Sequence, residues 1–597
     1  MVALRCDISV TLVGMQWEEA EPMALYDIVI KGGTVIDGLR TPRYKADVAI
    51  RDGKIVQIGP VDAADGDEVV DATGKIVAPG FVDIHTHYDS QLFWDPWCTM
   101  SGWHGVTTVL VGNCGFGFAP CRPQDQDRAM LSLSRNEAVP IRTMRAGMPW
   151  DWETYPEFLD SVERTPKGVN VMSLVPLAPL YAYVVGVDKA KKDRASDEEL
   201  ERMCELVIEG MEAGAAGWSS QISGDLFNVQ LDHDGTPMVT DLMTEREITA
   251  FARALRRVGR GTTQITGQLE TAALIARESG RPIIWNALAP TGSVNQHGES
   301  QFPHLETIDR LEELNGSEGL RVFASAQIVR FQSEIVLENY NLMDIFPAWK
   351  EAGLGTLEEK IAKFADPERR PALRAAIDEL GGGFGAAGYP LAEITVNWIT
   401  SDAKDALALK AKYEGYTIGE IAAREGKHLA DALLDIAVAG DLNVGFGTTM
   451  IDMDTQAVRE VTSCSVALPG ISDGGAHTKF VTTARFATEL IGHWVREHRI
   501  MSLEEAHWRL SAYPAMAIGL RDRGSIGEGR PADIIVYDPE TVDALPQERL
   551  FDYPADEWRL VQKAVGYDRI IVNGKTTFIN GVCTDETPGK LLRHGTA

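Results

Sequence analysis

The residues of this chain best suited to chemistry are two histidines one position apart, in Phe81-Val82-Asp83-Ile84-His85-Thr86-His87. They close a short apolar run that reads as a strand. Side chains at i and i+2 of a strand share a face, so His85 and His87 aim at one spot beyond the strand's end. Neutral imidazole is the commonest protein ligand for transition-metal cations. Spacing alone also fits two solvated or backbone-bonded histidines, and what favours a metal lies downstream. A second apolar run ends in Gly112-Asn113-Cys114-Gly115. A thiolate among glycines can approach an ion closely, although a lone cysteine is more often a buried apolar residue. A third run ends in Ser472-Asp473-Gly474-Gly475-Ala476-His477. Asp473 there could be a ligand, a general base or both, against the ordinary reading of a cap or turn residue. His477 reads as a turn residue, and His104 as a packing or hydrogen-bonding one.

These groups need a scaffold that brings strand ends together. Candidate strands are 81–84, 106–111, 170–175, 215–219, 262–266, 282–288, 321–326 and 470–473, alternating with amphipathic helical stretches. Eight such runs predict an α/β fold of the (β/α)8 TIM-like barrel type, whose active sites lie at the C-terminal ends of the strands. Residues from about 335 to 450 read as a mostly helical insertion, with helices expected over 357–364 and 418–439. Before the first core strand, 24–80 reads as short strands broken by Gly and Asp turns. Residues 525–590 behave alike. Both ends are therefore expected to form one small composite β-sandwich domain around a barrel spanning 81–524.

Bulk composition narrows the function. The chain has 597 residues, 44% hydrophobic and 24% charged, with a formal net charge of −30. That acidity argues against a nucleic-acid partner, since neutralising phosphates needs a basic face. Seven scattered cysteines without a CxxC pair fit a reducing compartment, hence a cytoplasmic expectation. No apolar run approaches a membrane span, and the first 22 residues lack the pattern of a secretory signal. Those residues read as a disordered extension or an over-called start. Gly383-Phe384-Gly385-Ala386-Ala387-Gly388 matches GxGxxG, but it follows a helix rather than a strand and so does not predict a dinucleotide site.

The paired histidines after strand one, the aspartate after strand eight and the β unit split between the ends together resemble the amidohydrolase superfamily. Pro79-Gly80-Phe81-Val82-Asp83-Ile84-His85-Thr86-His87 and Gly524-Ser525-Ile526-Gly527-Glu528-Gly529-Arg530-Pro531-Ala532-Asp533 look like its entry and exit signatures. Trp103-His104-Gly105-Val106-Thr107-Thr108, followed by Gly112-Asn113-Cys114-Gly115, resembles the N-acyl-D-amino-acid deacylase (D-aminoacylase) group. Gly470-Ile471-Ser472-Asp473-Gly474 matches that group's aspartate motif. The resemblance implies a zinc-ligand role for Cys114. It also implies metal-binding histidines at the ends of strands five and six, where this chain carries Gln264 and Asn286. After strand three, Leu177 stands where the group often has another histidine. Amides are weak zinc ligands, so the expected metal set is His85, His87, Cys114 and Asp473. That suits one zinc ion, another divalent metal being the alternative.

The predicted reaction is hydrolysis of a linear amide in an N-acyl amino acid-like small molecule. A metal of this class lowers the pKa of bound water toward about 7 and polarises a carbonyl. Asp473 would take the proton and pass it to the leaving nitrogen. Substrate contacts are expected from Gln264, Asn286, Lys479, Arg485 and Trp94. The basic pair would hold a carboxylate, with surface charge as the competing reading. Trp94 would wall an acyl pocket, with core packing as the competing reading. The alternatives are a hydantoinase-like hydrolase of a cyclic amide on the same scaffold and a catalytically silent barrel. A homo-oligomer is left open.

Overall fold

A computed structural model describes residues 24–223, 231–290, 303–384, 389–399, 405–450 and 453–595. The first 22 residues, and Gly385 to Gly388 of the glycine-rich motif, lie outside this set. Among the described residues no helix is long and apolar enough to cross a membrane.

Parallel strands form the centre in two arcs. One pairs Phe81–Asp83 with Val106–Val111, and the latter with Asn170–Ser173. The other runs Val175–Pro176, Gly217–Ile222, Thr262–Gly267, Ile283–Leu288, Val322–Ala326 and Ala467–Pro469 in spatial order. Leu174 alone separates the arcs along the chain, and its N–H donates to Val111 O at 3.0 Å. Beyond the last strand the chain returns to the first: His87 N–H donates to Gly474 O at 2.7 Å, and Thr86 bridges Gly474 in parallel. These strands are buried on both faces, as the unbroken run Val106–Val111 shows, which is why they read as continuous apolar stretches rather than alternating ones.

The eighth strand departs from expectation. It occupies Ala467–Pro469, not 470–473. Gly470 (φ 139°) and Asp473 (φ 47°) leave the extended region, so the Ser472–Asp473 segment is a turn beyond the strand's end.

Strands from both ends of the chain share one nine-stranded sheet. Ile534–Tyr537 inserts between Ile76–Pro79 and Tyr567–Val572, antiparallel to both. Ile30, Val48, Val70, Val536 and Ile571 pack in its core. The stretch expected to be an insertion is largely helical. It packs a core of its own, including Leu373, Ile377, Ile421, Leu433 and Ile436. The helix expected over 418–439 is two, Ile418–Glu425 and Leu429–Ala439. Gly426, at φ 62°, caps the first in the left-handed conformation that ends helices.

Candidate metal centre

Hydrogen bonds fix the His85–His87 segment on both sides. Thr86 Oγ1 donates to Leu110 O at 2.7 Å, Asn113 Nδ2 donates to Thr86 O at 3.1 Å, and Ser472 Oγ donates to His85 O at 2.8 Å. Cys114 sits in a tight turn with φ 55°. Gly112 makes that turn feasible: its φ is 80°, and an added Cβ would meet Leu174 O at 2.4 Å. The Cys114 N–H donates to Gln264 Oε1 at 2.6 Å, and the Gly115 N–H to Ser219 Oγ at 3.0 Å. Cys114, Asp473 and His477 (φ 49°) are all non-glycine residues in the left-handed region. That conformation costs about 1–2 kcal/mol per residue and tends to persist at functional sites.

The side chains so held converge. His85, His87 and Cys114 are buried, with ligand atoms all within 4.8 Å of one another. His85 Nε2 is 3.4 Å from Cys114 Sγ and 3.2 Å from Asp473 Oδ1, and His87 Nε2 is 3.8 Å from the same carboxylate oxygen. Zinc bonds of about 2.0–2.1 Å to nitrogen or oxygen and about 2.3 Å to sulfur, at a tetrahedral angle, set ligand separations of about 3.3 Å (N to O) and about 3.5 Å (N to S). The His85 pairs match both, and the donor set is the imidazole–thiolate–carboxylate mixture zinc takes. The residues present therefore fit one divalent ion.

Electrostatics carry the same signature. Burial disfavours charge on His85, but its contacts with Cys114 and with the Asp473 carboxylate outweigh that and hold its pKa well above the usual value. His87 goes the other way, to about 3, through burial and the neighbouring His85 charge. Burial opposes ionisation of Asp473, yet its hydrogen bond to His85 and that residue's charge keep it well below the carboxylate range. Burial pushes the Cys114 thiol up. The acids of the cluster thus call for a positive charge at the point His85 Nε2 faces, a demand a divalent cation would meet.

Two further groups line the site. Glu137 ends the helix Gln126–Glu137 and is buried, with Oε2 3.3 Å from His477 Nε2 and 3.8 Å from His87 Nε2. Burial, then the Asp473 charge, push its carboxyl up to about 8. His477 is more than a turn residue, since its N–H also donates to Glu137 O at 2.5 Å. Glu137 had no signal in the sequence, where a glutamate at the end of an amphipathic helix reads as solvated. Among the described residues, the other His/acid group of similar closeness is His493, Glu497 and His498, on a half-buried to exposed helical face.

The structure places the expected substrate contacts unevenly. Gln264 and Asn286 do border the cluster: Gln264 holds the Cys114 backbone, and Asn286 Nδ2 lies 2.7 Å from His85 Nδ1. Lys479, Arg485 and Trp94 have internal partners instead. Lys479 is 1% exposed, with Nζ 3.1 Å from the equally buried Glu557. Arg485 is buried with Nε 2.9 Å from Glu489, and it also donates to Arg330 O. Trp94 is half-buried and packs edge-on against Tyr553, 5.7 Å between ring centroids. His104 bonds Thr488 Oγ1 and Gln562 O, both at 2.8 Å. Lys479→Met is accordingly expected to lower unfolding free energy by about 3 kcal/mol, the low end for breaking a buried pair because Arg142 still reaches Glu557. Urea unfolding measures this. A raised KM at unchanged stability would return Lys479 to the substrate site.

A model of the amidohydrolase family (Amidohydro_3) matches residues 68–578. D-aminoacylase of Alcaligenes xylosoxydans xylosoxydans is 26% identical over 585 residues, 97% of this chain and 99% of that protein. Two solved structures share the fold, each at 23% identity with a TM-score of 0.63 and covering 95% of this chain. One is a D-aminoacylase studied for the role of its binuclear metal centre, in which one metal activates and a second attenuates, matched over all of that chain. The other is N-acyl-D-glutamate deacylase from Bordetella bronchiseptica with zinc and a phosphonate inhibitor, matched over 99% of its length.

Proposed function

We propose that this chain, which belongs to the amidohydrolase family and to its D-aminoacylase-like group, is a metal-dependent hydrolase of linear N-acyl amino acids, built on a (β/α)8 barrel with a composite β domain from its two ends. The observation that carries this reading is the convergence of His85, His87, Cys114 and Asp473 from the ends of three different core strands. Those four residues would hold the ion. When bound, such a metal supplies Lewis acidity, polarising a carbonyl and making water acidic enough to ionise near neutral pH.

The chain's own groups do the rest. Asp473, with a quarter of its side chain exposed and its carboxylate kept ionised opposite His85, is placed to accept a proton from the nucleophile. It would then return the proton to the leaving nitrogen. A cavity lined by Phe116, just past the Cys114 turn, by Leu133, Tyr183 and Met238, and also by the charged Arg122, Arg128 and Asp232, would desolvate and orient part of the substrate. One ion is the expected stoichiometry, because Gln264 and Asn286 offer only amides where a second ion would need stronger donors.

Two measurements test this. Metal analysis of protein expressed with zinc should give about one ion per chain. A panel of N-acetyl-D-amino acids and five-membered cyclic imides should then show turnover of the linear amides. Turnover confined to the cyclic compounds would move the reading to a hydantoinase-like enzyme. An inability to take up metal would end it.

A further inference from the structure

The N-terminal ends of the core strands carry a basic cluster that the metal centre does not use. Thr262–Gly267, Ile283–Leu288 and Val322–Ala326 are neighbours in the sheet. The residues that lead into them, Gly261, Arg281 with Pro282, and Arg321, line one cleft. Arg521, just past the helix Ala512–Ala517, and His594 of the C-terminal tail complete its wall. Its volume is about 410 Å³, within the range of small-molecule sites, about 300–1,000 Å³. Because the strands are parallel, the cleft lies at the opposite ends from those that carry His85, Cys114 and Asp473.

The cations of this cleft lack an anion. The chain holds 87 acidic residues against 57 basic ones, yet among the described residues no carboxylate forms an ion pair with Arg281, Arg321 or Arg521. Arg281 Nε donates to Gly261 O at 3.2 Å and an Arg321 terminal nitrogen to Gly280 O at 3.4 Å, which leaves most of each fork unused. A fourth arginine, Arg260, donates to His594 O at 2.7 Å and to Met211 O, again without an acid. Burial, then the charges of Arg260, Arg281 and Arg521, hold His594 down to about 4. Its ring is therefore neutral at neutral pH and adds no further charge. Like charges gathered without a counter-charge cost the fold energy, and local conflicts of this kind are kept where they serve a function.

Guanidinium forks match the oxygens of carboxylates and phosphates alike. Three forks from separate segments favour phosphate, whose tetrahedral oxygens can be reached from several sides and which carries about two negative charges. The net charge of −30 repels extended polyanions such as nucleic acid, so the ligand must be small. We propose that the cleft walled by Arg281, Arg321 and Arg521 binds a small phosphate-bearing molecule, at a site separate from the metal centre.

Calorimetric titration of the full chain in phosphate-free buffer tests this, with inorganic phosphate, glycerol 3-phosphate and acetate as probes. Wild type is compared with Arg321→Gln, Arg521→Gln and Lys192→Gln. Arg321 and Arg521 are exposed, so their loss should leave melting and amide turnover unchanged. Phosphate is expected to bind wild type and to bind each arginine variant about 10–100-fold more weakly, the usual worth of a charged hydrogen bond. Lys192→Gln, which removes an exposed charge outside the cleft, should bind as wild type does. Tighter binding of the ester would sustain the proposal with an esterified metabolite as ligand, and tighter binding of inorganic phosphate would sustain it with the free ion. Binding of neither by wild type would overturn it. So would affinity unaltered in both arginine variants, the mark of phosphate held at the metal centre instead. Acetate bound as tightly as phosphate, or an equal loss in Lys192→Gln, would overturn it too. Should Arg521→Gln melt early, Arg321→Gln decides alone.

Discussion

Asp473→Asn is expected to lower kcat by about 10²–10⁴-fold, the range general acid–base groups contribute, while zinc content at saturating metal stays near that of wild type. The substitution keeps shape and removes basicity. The turn around Asp473 does not depend on its carboxylate: Ser472 Oγ donates to His85 O and accepts from the Gly474 N–H at 3.0 Å, and Thr483 Oγ1 donates to Ser472 O at 2.7 Å. Gly475, at φ 89° with His87 backbone atoms 2.7 Å from where a Cβ would stand, packs the same turn against the histidine segment. His85, His87 and Cys114 remain as donors. The measurement is kcat on the best linear amide together with metal content by mass spectrometry, repeated in a His493→Ala background so that uptake at the His493–Glu497–His498 face is not counted. Full activity in Asp473→Asn would remove it from proton transfer. Loss of metal in step with activity would make it a ligand first.

What could be read from the sequence divides along a physical line. His85 and His87 stand out because their chemistry is scarce at the end of an apolar run and their spacing is local, whereas the role of Cys114 comes only with the family resemblance and Asp473 alone reads equally as a turn residue. The strand runs are legible because burial on both faces leaves continuous apolar stretches. Other features depend on partners far along the chain. Lys479 and Arg485 look like exposed charge in a loop; only the fold brings Glu557 to the first, and to the second the Arg330 carbonyl, which adds to the local pair with Glu489 four residues on. Glu137 looks solvated until the Asp473 turn delivers His477 to it. The displaced eighth strand and the divided helix at Gly426 have another cause: single residues with positive φ interrupt a pattern that hydrophobicity alone would continue.

Cys114→Ser is the sharper test of the donor set, because it changes one atom. Zinc sites with four ligands bind with about 10–16 kcal/mol at neutral pH, so each donor carries about 2.5–4 kcal/mol. A serine hydroxyl does not replace a thiolate for zinc. Affinity is therefore expected to fall by about 10²–10³-fold, with activity at limiting zinc falling in parallel. The turn should persist, since Gln264 Oε1 accepts from the backbone N–H of this position and Gly112 and Gly115, both at positive φ, supply the backbone freedom. Unchanged melting of the zinc-free protein checks that. The pH dependence gives a second readout. Burial raises the thiol's pKa, so at neutral pH zinc must displace its proton, and affinity falls as pH falls. Cys114→Ser has no such proton to lose, and its plot of log affinity against pH should be shallower by about one unit of slope. Wild-type affinity with an unaltered slope would mean that the sulfur, though 3.4 Å from His85 Nε2, takes no part in holding the ion.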